Sequence, residues 1–408
     1  MRTRVWPLVA LYVALAGTLA GSQQARPFTA HEWGTFTTVA GPDGQAQEWL
    51  PLGGPTDLPC FVETYENRLF KILAGPQAAA YGPLLTYEKA RSGLKGTVRM
   101  ETPVLYFYAD EPVNVSVSVG FPRGLFTEWY PKAAVQQVPS WANVLRLSPN
   151  ASATISWPSV LVKPNARVVF PETDTPSHYY AARETDATPV QVNGQDEKFL
   201  FYRGVGGFGV PIATAPATHS ALTVRNLGAA PLPALVVFTN RGGRIGYRMH
   251  RDVTGERALA LPTLNHTLAD LRRDLAEVLV EQGLYAREAQ AMINTWRDTW
   301  FEEGTRVLYI VPKPAVDAML PLSIVPTPTA TERVFVGRMD VITSDHLADV
   351  RRAIATNNRA ALARHGRLLS VIGERILETT TSVEERTRIE ALLKATFATY
   401  AEDVARCD

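Results

Sequence analysis

Candidate chemistry in this sequence is concentrated in five short segments that mix Trp, Tyr, Glu, Arg and His. We call these the five dense segments: His31-Glu-Trp-Gly-Thr-Phe-Thr37, Met100-Glu-Thr-Pro103, Thr127-Glu-Trp-Tyr-Pro131, Tyr202-Arg-Gly-Val-Gly-Gly207 and Trp300-Phe-Glu-Glu-Gly-Thr-Arg306. Carboxylates serve as acids, bases or nucleophiles, guanidinium groups hold anions, and aromatic rings offer flat apolar faces with polar edges. The segments therefore predict a binding surface, a catalytic site or, if they are buried, a well-packed core.

Paired carboxylates are the first possibility. A glycoside hydrolase needs two carboxyl groups, about 5 Å apart for retention or roughly 6.5–9.5 Å apart for inversion. Candidate catalytic residues are Glu32, Glu101, Glu128, Glu302 and Glu303. The alternative is that each carboxylate accepts hydrogen bonds from the backbone or pairs with an arginine inside the fold. The spacing alone leaves both interpretations open.

A binding surface is the second possibility, and the sequence favours it slightly because it carries no strong catalytic motif. Its candidate binding residues are His31, Trp33, Trp129, Tyr130, Arg203, Trp300, Arg306 and Arg338. Aromatic rings with polar neighbours are typical of sugar recognition, so the predicted partner is a polysaccharide or another cell-envelope component. A third interpretation is a purely structural protein, in which the same residues are core.

Other site classes lack their defining patterns. The sequence has no H-E-x-x-H pair, no G-x-S-x-G elbow and no P-loop lysine, and it predicts no metal and no cofactor. The glycine-rich stretch from Gly204 to Gly209 predicts a bulge or close strand packing rather than a phosphate loop. With 41 Lys and Arg against 40 Asp and Glu, the chain has no basic excess for nucleic-acid binding.

Three of the dense segments carry a family resemblance. His31–Thr37, Met100–Tyr108 and Thr127–Pro131 resemble segments of a group of uncharacterised secreted bacterial proteins, and Trp300–Arg306 extends the resemblance. It spans most of the mature chain. The resemblance implies a secreted bacterial protein, but it implies no activity and no role for any residue.

The N-terminus and the cysteines indicate the compartment. Arg2 and Arg4 precede an apolar run that ends at Ala20, which predicts a signal peptide over 1–22 and a secreted or periplasmic protein. No later apolar run is long enough to predict a membrane span. In an oxidising compartment Cys60 and Cys407 would be able to form a disulfide; the alternative is two free thiols.

The elements that position the dense segments are mostly strands. Val113–Val119 alternates valine with polar residues, which predicts a half-buried strand, and Thr102–Tyr108 before it predicts the partner arm of a hairpin. Further strands are predicted at 152–157, 167–170, 199–205, 221–224, 235–239, 305–311, 322–326 and 332–339. Arg241-Gly-Gly-Arg244 predicts a tight turn.

Helices are predicted in two blocks. Leucines at helical spacing indicate a helical hairpin over about 264–300, and all 29 prolines lie at or before Pro328, so the tail is predicted to be helical. The predicted fold class is α+β. Its regions are an antiparallel β-sandwich-like domain over 23–262, the hairpin with bridging strands over 263–340, and a three-helix segment over 341–408.

Overall fold

The computed structural model describes residues 27–52, 58–65, 94–138, 147, 149–174 and 176–402, with backbone alone for 397–402. The predicted signal peptide and Cys407 lie outside these residues. The described chain is rich in strands, contains several sheets and carries helices that follow them in sequence. This confirms the α+β class.

Eighteen strands form three sheets in the described residues. In chain order they are β1 (Phe28–Val39), β2 (Glu63–Thr64), β3 (Val98–Ala109), β4 (Val113–Pro122), β5 (Gly124–Tyr130), β6 (Ala134–Val138), β7 (Ser152–Val162), β8 (Val190–Val192), β9 (Gln195–Glu197), β10 (Leu200–Gly206), β11 (Ile212–Thr218), β12 (Ala221–Asn226), β13 (Leu232–Arg241), β14 (Arg244–Val253), β15 (Glu256–Ala260), β16 (Gly304–Val311), β17 (Leu322–Val325) and β18 (Ala330–Val341).

The central sheet has nine strands in the order β14-β13-β16-β18-β1-β3-β10-β5-β2. Its strands pair antiparallel except β1 and β18, which run parallel in the middle of the sheet. A second sheet has β17-β4-β7-β8-β9 with β6 beside β7, and a third has β11-β12-β15. The first and last long strands of the described chain are therefore neighbours.

Helices form the C-terminal part of the described chain, and two others cover one face of the central sheet. They are a 3-10 helix at His178–Arg183, then α1 (Leu268–Glu281), α2 (Ala286–Thr295), α3 (Lys313–Met319), α4 (Ser344–Ala355), α5 (Arg359–Ala363), α6 (Leu368–Thr379) and α7 (Val383–Glu402). No described helix combines the length and the apolar character needed to cross a bilayer.

Three apolar clusters hold the layers together. One face of the central sheet packs against the two smaller sheets, with Phe36, Phe121 and Trp157 fully buried between them. The opposite face packs against α1 and α2, with Trp33 and Trp300 inside. A separate cluster joins α4 to α7 with Val39 and Trp49. The central sheet is thus buried on both faces, which its strands reflect in near-continuous burial.

Some predicted elements differ in the structure. The predicted hairpin of 102–108 with 113–119 is wrong, because β3 lies in the central sheet whereas β4 pairs with β7 and β17 in the second sheet. The Asp110-Glu-Pro112 corner carries the chain between sheets, so the two strands pack rather than pair. Residues 167–170 form no strand.

The tail, as far as residue 402, contains four helices where the sequence predicts three. The predicted second helix is divided into α5 and α6, and Gly366 lies between them with a φ of 50°. A residue in the left-handed region cannot continue a right-handed helix, so the chain turns there. This turn brings Arg367 to Glu101 of β3 and places Gly366 beside the Glu302 side chain.

Candidate functional site

Bulges cross the central sheet beside the dense segments. The pairing register shifts between Trp33 and Thr35 in β1, and around Gly204 in β10 against both β3 and β5. Thr102 in β3, between these strands, has a φ of 45° and is buried. A left-handed conformation is strained for a β-branched residue, and such strain and bulges are common next to functional sites.

Four of the five dense segments are direct neighbours at these bulges. Thr35 pairs with Glu101, Gly204 pairs with Met100, and Arg203 pairs with Glu128. The fifth segment joins them through β18, which lies between β16 and β1. The structure therefore brings the segments together in one sheet, although in the sequence they are spread from residue 31 to residue 306.

A network of buried charges occupies the helix-covered face beside the bulges. Arg338 and Asp340 continue the alternation of Val334 and Val336, which face α1 and α2. Glu101 reaches this network from β3, Arg306 from β16 and Arg367 from the turn before α6. We call Glu101, Arg306, Arg338, Asp340 and Arg367 the charged belt.

Arg306 organises the loop that precedes β16. Its side chain is fully buried and donates to the Asp340 carboxylate at 2.8 Å. It also donates to the carbonyl oxygens of Trp300 and Glu302 at 2.8 Å and of Glu303 at 2.9 Å. Burial and the nearby Arg338 lower the pKa of Arg306. These bonds fix the direction in which Glu302 and Glu303 point.

Arg338 holds two carboxylates. Its Nε lies 3.0 Å from the Asp340 carboxylate, and one terminal guanidinium nitrogen donates to the Glu302 carboxylate. Burial alone would raise the pKa of Asp340, but Arg338 and Arg306 together lower it. Burial disfavours the charged form of Arg338, but the Asp340 and Glu302 carboxylates favour it more strongly. The pKa of Arg338 is therefore raised. Both partners therefore stay ionised over the physiological range.

Glu101 is clamped by arginines from two directions. Its carboxylate lies 3.1 Å from the Arg367 guanidinium and 3.4 Å from Nε of Arg99. Burial favours the protonated form, but Arg367 and Arg99 overcome it and lower the pKa of Glu101 to about 2. A carboxylate held in this way is a rigid acceptor and is not a proton donor at neutral pH.

A small cavity lies against the charged belt. It has a volume of about 80 Å³ and is lined by Thr37, Val39, Trp49, Thr299, Glu302, Arg338, Asp340, Gly366, Arg367 and Leu368. Its four charged side chains are two arginines and two carboxylates, so the lining is balanced in charge. We call this the belt cavity. Thr37, Glu302 and Arg338 come from the sequence-predicted segments and residues, whereas Trp49 and Arg367 carried no sequence signal.

Glu303, the neighbour of Glu302 in the sequence, does not line the belt cavity. The Glu303 carboxylate accepts the Gly242 backbone N–H at 2.9 and 3.0 Å and lines a different pocket, at the β13–β14 turn. Adjacent carboxylates thus serve two separate cavities.

Glu32 lies on the opposite face of the sheet, away from the belt cavity. It is buried against the smaller sheets, where Arg333 donates to it at 2.6 Å and the Tyr202 hydroxyl donates to its other oxygen. Arg333 is also paired with Asp317 at 2.8 Å. Glu32 and Glu101 therefore do not share a cleft.

His31 takes part in a third buried arrangement. Its Nδ1 lies 2.9 Å from the Glu288 carboxylate, which also accepts the Tyr108 hydroxyl at 2.8 Å and the Tyr285 N–H at 2.7 Å. Glu288 is the third residue of α2 and closes its capping box. Sequence reasoning missed Glu288; the one available signal was a glutamate three residues after Tyr285 at a helix start.

The predicted aromatic binding residues are not at the surface. Trp33 and Trp300 are fully buried, Tyr130 is 3% exposed and Trp129 is 8% exposed. Arg203 is also buried; it donates to Thr102 Oγ1 at 3.1 Å and lies over the Phe201 ring. Glu128 is buried and accepts the Thr127 hydroxyl. These residues support the site from within the sheet and do not form an open face.

Within the described part of the chain, no three His, Cys, Asp or Glu side chains are grouped so as to hold a metal ion. Cys60 is disulfide-bonded, and Cys407 lies outside the described residues.

Sequence comparison with protein families and with curated proteins identifies no relative. No protein-family model matches the chain, and no curated protein is significantly similar to it in sequence. A function for this chain is therefore inferred from the geometry of the site.

Proposed function

We propose that this chain is an extracytoplasmic binding protein that holds a small, uncharged, polyhydroxylated ligand in the belt cavity. The ligand would be one terminal unit of a polysaccharide or of another cell-envelope glycan. The observation that carries the proposal is the lining of that cavity: two arginines, two carboxylates and Trp49 meet at one small buried space. The β-rich half of the chain would act as a sandwich-like scaffold for it.

The balance of charge favours a neutral ligand. Arg338 and Arg367 offer rigid donors, and Glu302 and Asp340 offer rigid acceptors, yet their charges sum to zero. Sugar hydroxyl groups both donate and accept hydrogen bonds, so they satisfy such a lining without adding charge to it. Trp49 provides an apolar wall of the kind that sugar rings use. A volume of about 80 Å³ corresponds to two or three water molecules, so the cavity would hold only the hydroxyl-bearing edge of a sugar unit, with the rest of the ring outside it.

Binding is favoured over hydrolysis because of the protonation states. A general acid that works near neutrality needs a raised pKa. The pKa values of Glu101 and Asp340 are both lowered by their arginine partners. Asp340 in the cavity lining and Glu101 in the adjoining belt are therefore held as acceptors.

A carbohydrate-active hydrolase is the second candidate, because Glu302 and Asp340 line the same cavity as two separate carboxylates. Turnover distinguishes it from the first: incubation of the mature chain with the bound glycan would release new reducing ends. A purely structural role is the third interpretation, and it predicts that changes at Glu302 alter thermal stability alone.

The adjacent glutamates provide a matched test. Retention of the full mature chain on glycan and peptidoglycan arrays would identify a ligand, and calorimetry would then compare Glu302→Gln with Glu303→Gln. A hydrogen bond to a charged group contributes about 1.5–3 kcal/mol, so Glu302→Gln should weaken binding by roughly 10- to 100-fold. Glu303→Gln removes the same charge one residue away and should change affinity less than about twofold.

Three results would count against the proposal. The first is absence of retention on every glycan and envelope fraction. The second is equal loss of affinity in both variants. The third is a lower melting temperature for Glu302→Gln with unchanged affinity, which would favour the structural interpretation.

A further inference from the structure

A second, basic pocket opens beside the β13–β14 turn. Its arginines come from three places: Arg241 and Arg244 from the turn, Arg352 from α4, and Arg364 from the end of α5. His365 completes the lining, and the volume is about 360 Å³. We call it the arginine pocket. Unlike the belt cavity, this pocket has no tryptophan wall and no balance of charge.

The turn itself is fixed by glycines. Arg241 pairs with Arg244 across the turn, and Gly242 and Gly243 have φ values of 62° and 80°. Two consecutive residues with positive φ define the type I′ turn that suits a hairpin. This confirms the tight turn predicted from the sequence and presents both arginines on the same rim.

The charges of this pocket are unbalanced. Four guanidinium groups face two carboxylates, Glu303 and Asp349. Asp349 is already engaged by Arg241 at 3.2 Å and by Arg352 at 3.0 Å, and Asp345 outside the pocket also pairs with Arg241 at 2.6 Å. Both oxygens of Glu303 accept the Gly242 N–H. The two carboxylates are thus committed, and an excess of positive charge remains.

The uncommitted donors are Arg244 and Arg364. Neither forms a side-chain hydrogen bond or an ion pair with any described residue, and both are exposed. His365 also lines the pocket but is only 6% exposed. Its Nδ1 has almost no accessible surface and no hydrogen-bond partner in the described part of the chain, so this nitrogen lies behind the pocket wall.

We infer that the arginine pocket binds a tetrahedral oxyanion, a phosphate or sulfate group that is either free or esterified. Guanidinium groups match the oxygens of such an anion in paired hydrogen bonds. Arg244 and Arg364 would bind it at the rim, where both side chains are exposed. The anion would balance the excess charge.

This inference is independent of the proposed glycan site. The two cavities share no lining residue, and Glu302 and Glu303 divide between them. Failure of one site therefore leaves the other unaffected.

The test is calorimetric titration of the full mature chain with inorganic phosphate, inorganic sulfate and a sugar phosphate at constant ionic strength. Removal of two uncommitted arginines in Arg244→Ala/Arg364→Ala should weaken binding by at least about tenfold. Glu303→Gln removes a negative charge from the pocket and should strengthen binding by about threefold. The sugar phosphate would bind at least about tenfold tighter than inorganic phosphate if the natural ligand is an ester, and about equally if it is the free ion.

A charge-matched control is Arg225→Ala/Arg257→Ala, which removes two exposed arginines from the β11-β12-β15 sheet. It should leave anion binding within about twofold of the unmodified chain. The inference is overturned if none of the three anions binds saturably with a Kd below about 10 mM. Equal weakening in the control variant would also overturn it, because it would indicate a diffuse charge effect.

Discussion

At the scale of single residues, Glu101 is a carboxylate whose burial and ion pairs act in opposite directions. Its pKa falls from 4.5 to about 2 because Arg367 and Arg99 outweigh desolvation. Since the folded-state pKa is the lower one, the stabilisation is complete above pH 4.5 and is lost as the pH falls towards 2. The shift in the pKa of Glu101 stabilises the fold by about 3 kcal/mol at neutral pH, and about 2 kcal/mol of this is lost by pH 3.

The corresponding prediction compares the unmodified chain with Glu101→Gln. The variant should be less stable at pH 6, and the difference in the free energy of unfolding should shrink by about 2 kcal/mol between pH 5 and pH 3. Denaturant unfolding at several pH values measures it. A difference that stays constant over this range would show that Glu101 is not held ionised by the belt.

His346 is a buried base whose ionisation affects the free energy of unfolding in a higher pH range. Burial, with His365 and Arg306 nearby, lowers its pKa from 6.5 to about 4. The folded state therefore resists protonation, and acidification from pH 7.5 to pH 5 should cost about 2 kcal/mol of stability through this residue. Above pH 7.5 the residue is neutral in both states and has no effect.

His346→Gln should remove that pH dependence. Glutamine at this position retains an acceptor for the Thr343 N–H in the capping box of α4. Between pH 7.5 and pH 5, the free energy of unfolding of the variant should fall by about 2 kcal/mol less than that of the unmodified chain, as measured in denaturant titrations. An identical slope in both proteins would contradict the neutral, buried imidazole.

At the scale of elements, the glycine-rich part of β10 is one of the places where strands of the central sheet pack closely. A Cβ added at Gly204 would overlap the carbonyl oxygen of Leu125 and lie 2.7 Å from the Phe121 ring. The bulge places the β5 backbone directly over this position. The sequence interpretation of bulge and close packing is therefore confirmed here.

Gly204→Ala and Gly209→Ala form a matched pair. Gly204→Ala should destabilise the protein by about 2 kcal/mol or more because the neighbouring backbone cannot yield easily. Gly209 has no atom within 4 Å of an added Cβ, so Gly209→Ala should change the free energy of unfolding by less than about 0.5 kcal/mol. Equal effects in thermal or denaturant unfolding would contradict the close approach of β5.

Local patterns predict individual strands better than their partners. Val113, Val115, Val117 and Val119 are buried and Asn114 is exposed, as the alternation in β4 predicts. The central pairing is not predictable, because β1 and β18 are about 290 residues apart and buried on both faces, so they carry no two-residue period. The partner predicted for β4 is wrong because alternation identifies a strand but not the sheet to which it belongs.

The site is predictable only in part. Residue type marks Glu101, Glu302, Arg306 and Arg338 because charged residues lie among aromatic ones in or near their segments. Burial is not visible in the sequence, which is why Trp33 and Trp300 are predicted there as binding residues. Arg367 and Trp49 come from segments without any dense motif, and the fold alone brings them to the cavity.

At the scale of the whole molecule, the near-zero net charge is achieved by local pairing. In the belt cavity two arginines meet two carboxylates, whereas the arginine pocket keeps an excess of positive charge. Net charge therefore excludes a broad basic surface but does not exclude a local anion site. Recognition in this protein would depend on how a few buried charges are arranged.

The connection between the two ends of the chain gives the last prediction. The parallel pairing of β1 with β18 already joins the N-terminal and C-terminal parts of the described chain in one sheet. Cys60 is disulfide-bonded, and Cys407 is the one other cysteine of the sequence. We expect non-reducing peptide mapping to return a peptide that links these two cysteines. Closing so long a loop should stabilise the fold by roughly 5 kcal/mol on chain-entropy grounds.

Cysteine variants separate this link from an intermolecular one. If both cysteines belong to one bond, Cys60→Ser, Cys407→Ser and the double variant should lower the melting temperature equally, and each should remain monomeric. Addition of a reductant should bring the unmodified chain to the same melting temperature. If Cys60 instead bonds to a second copy of the chain, Cys407→Ser should leave stability unchanged, and a covalent dimer should appear on a non-reducing gel.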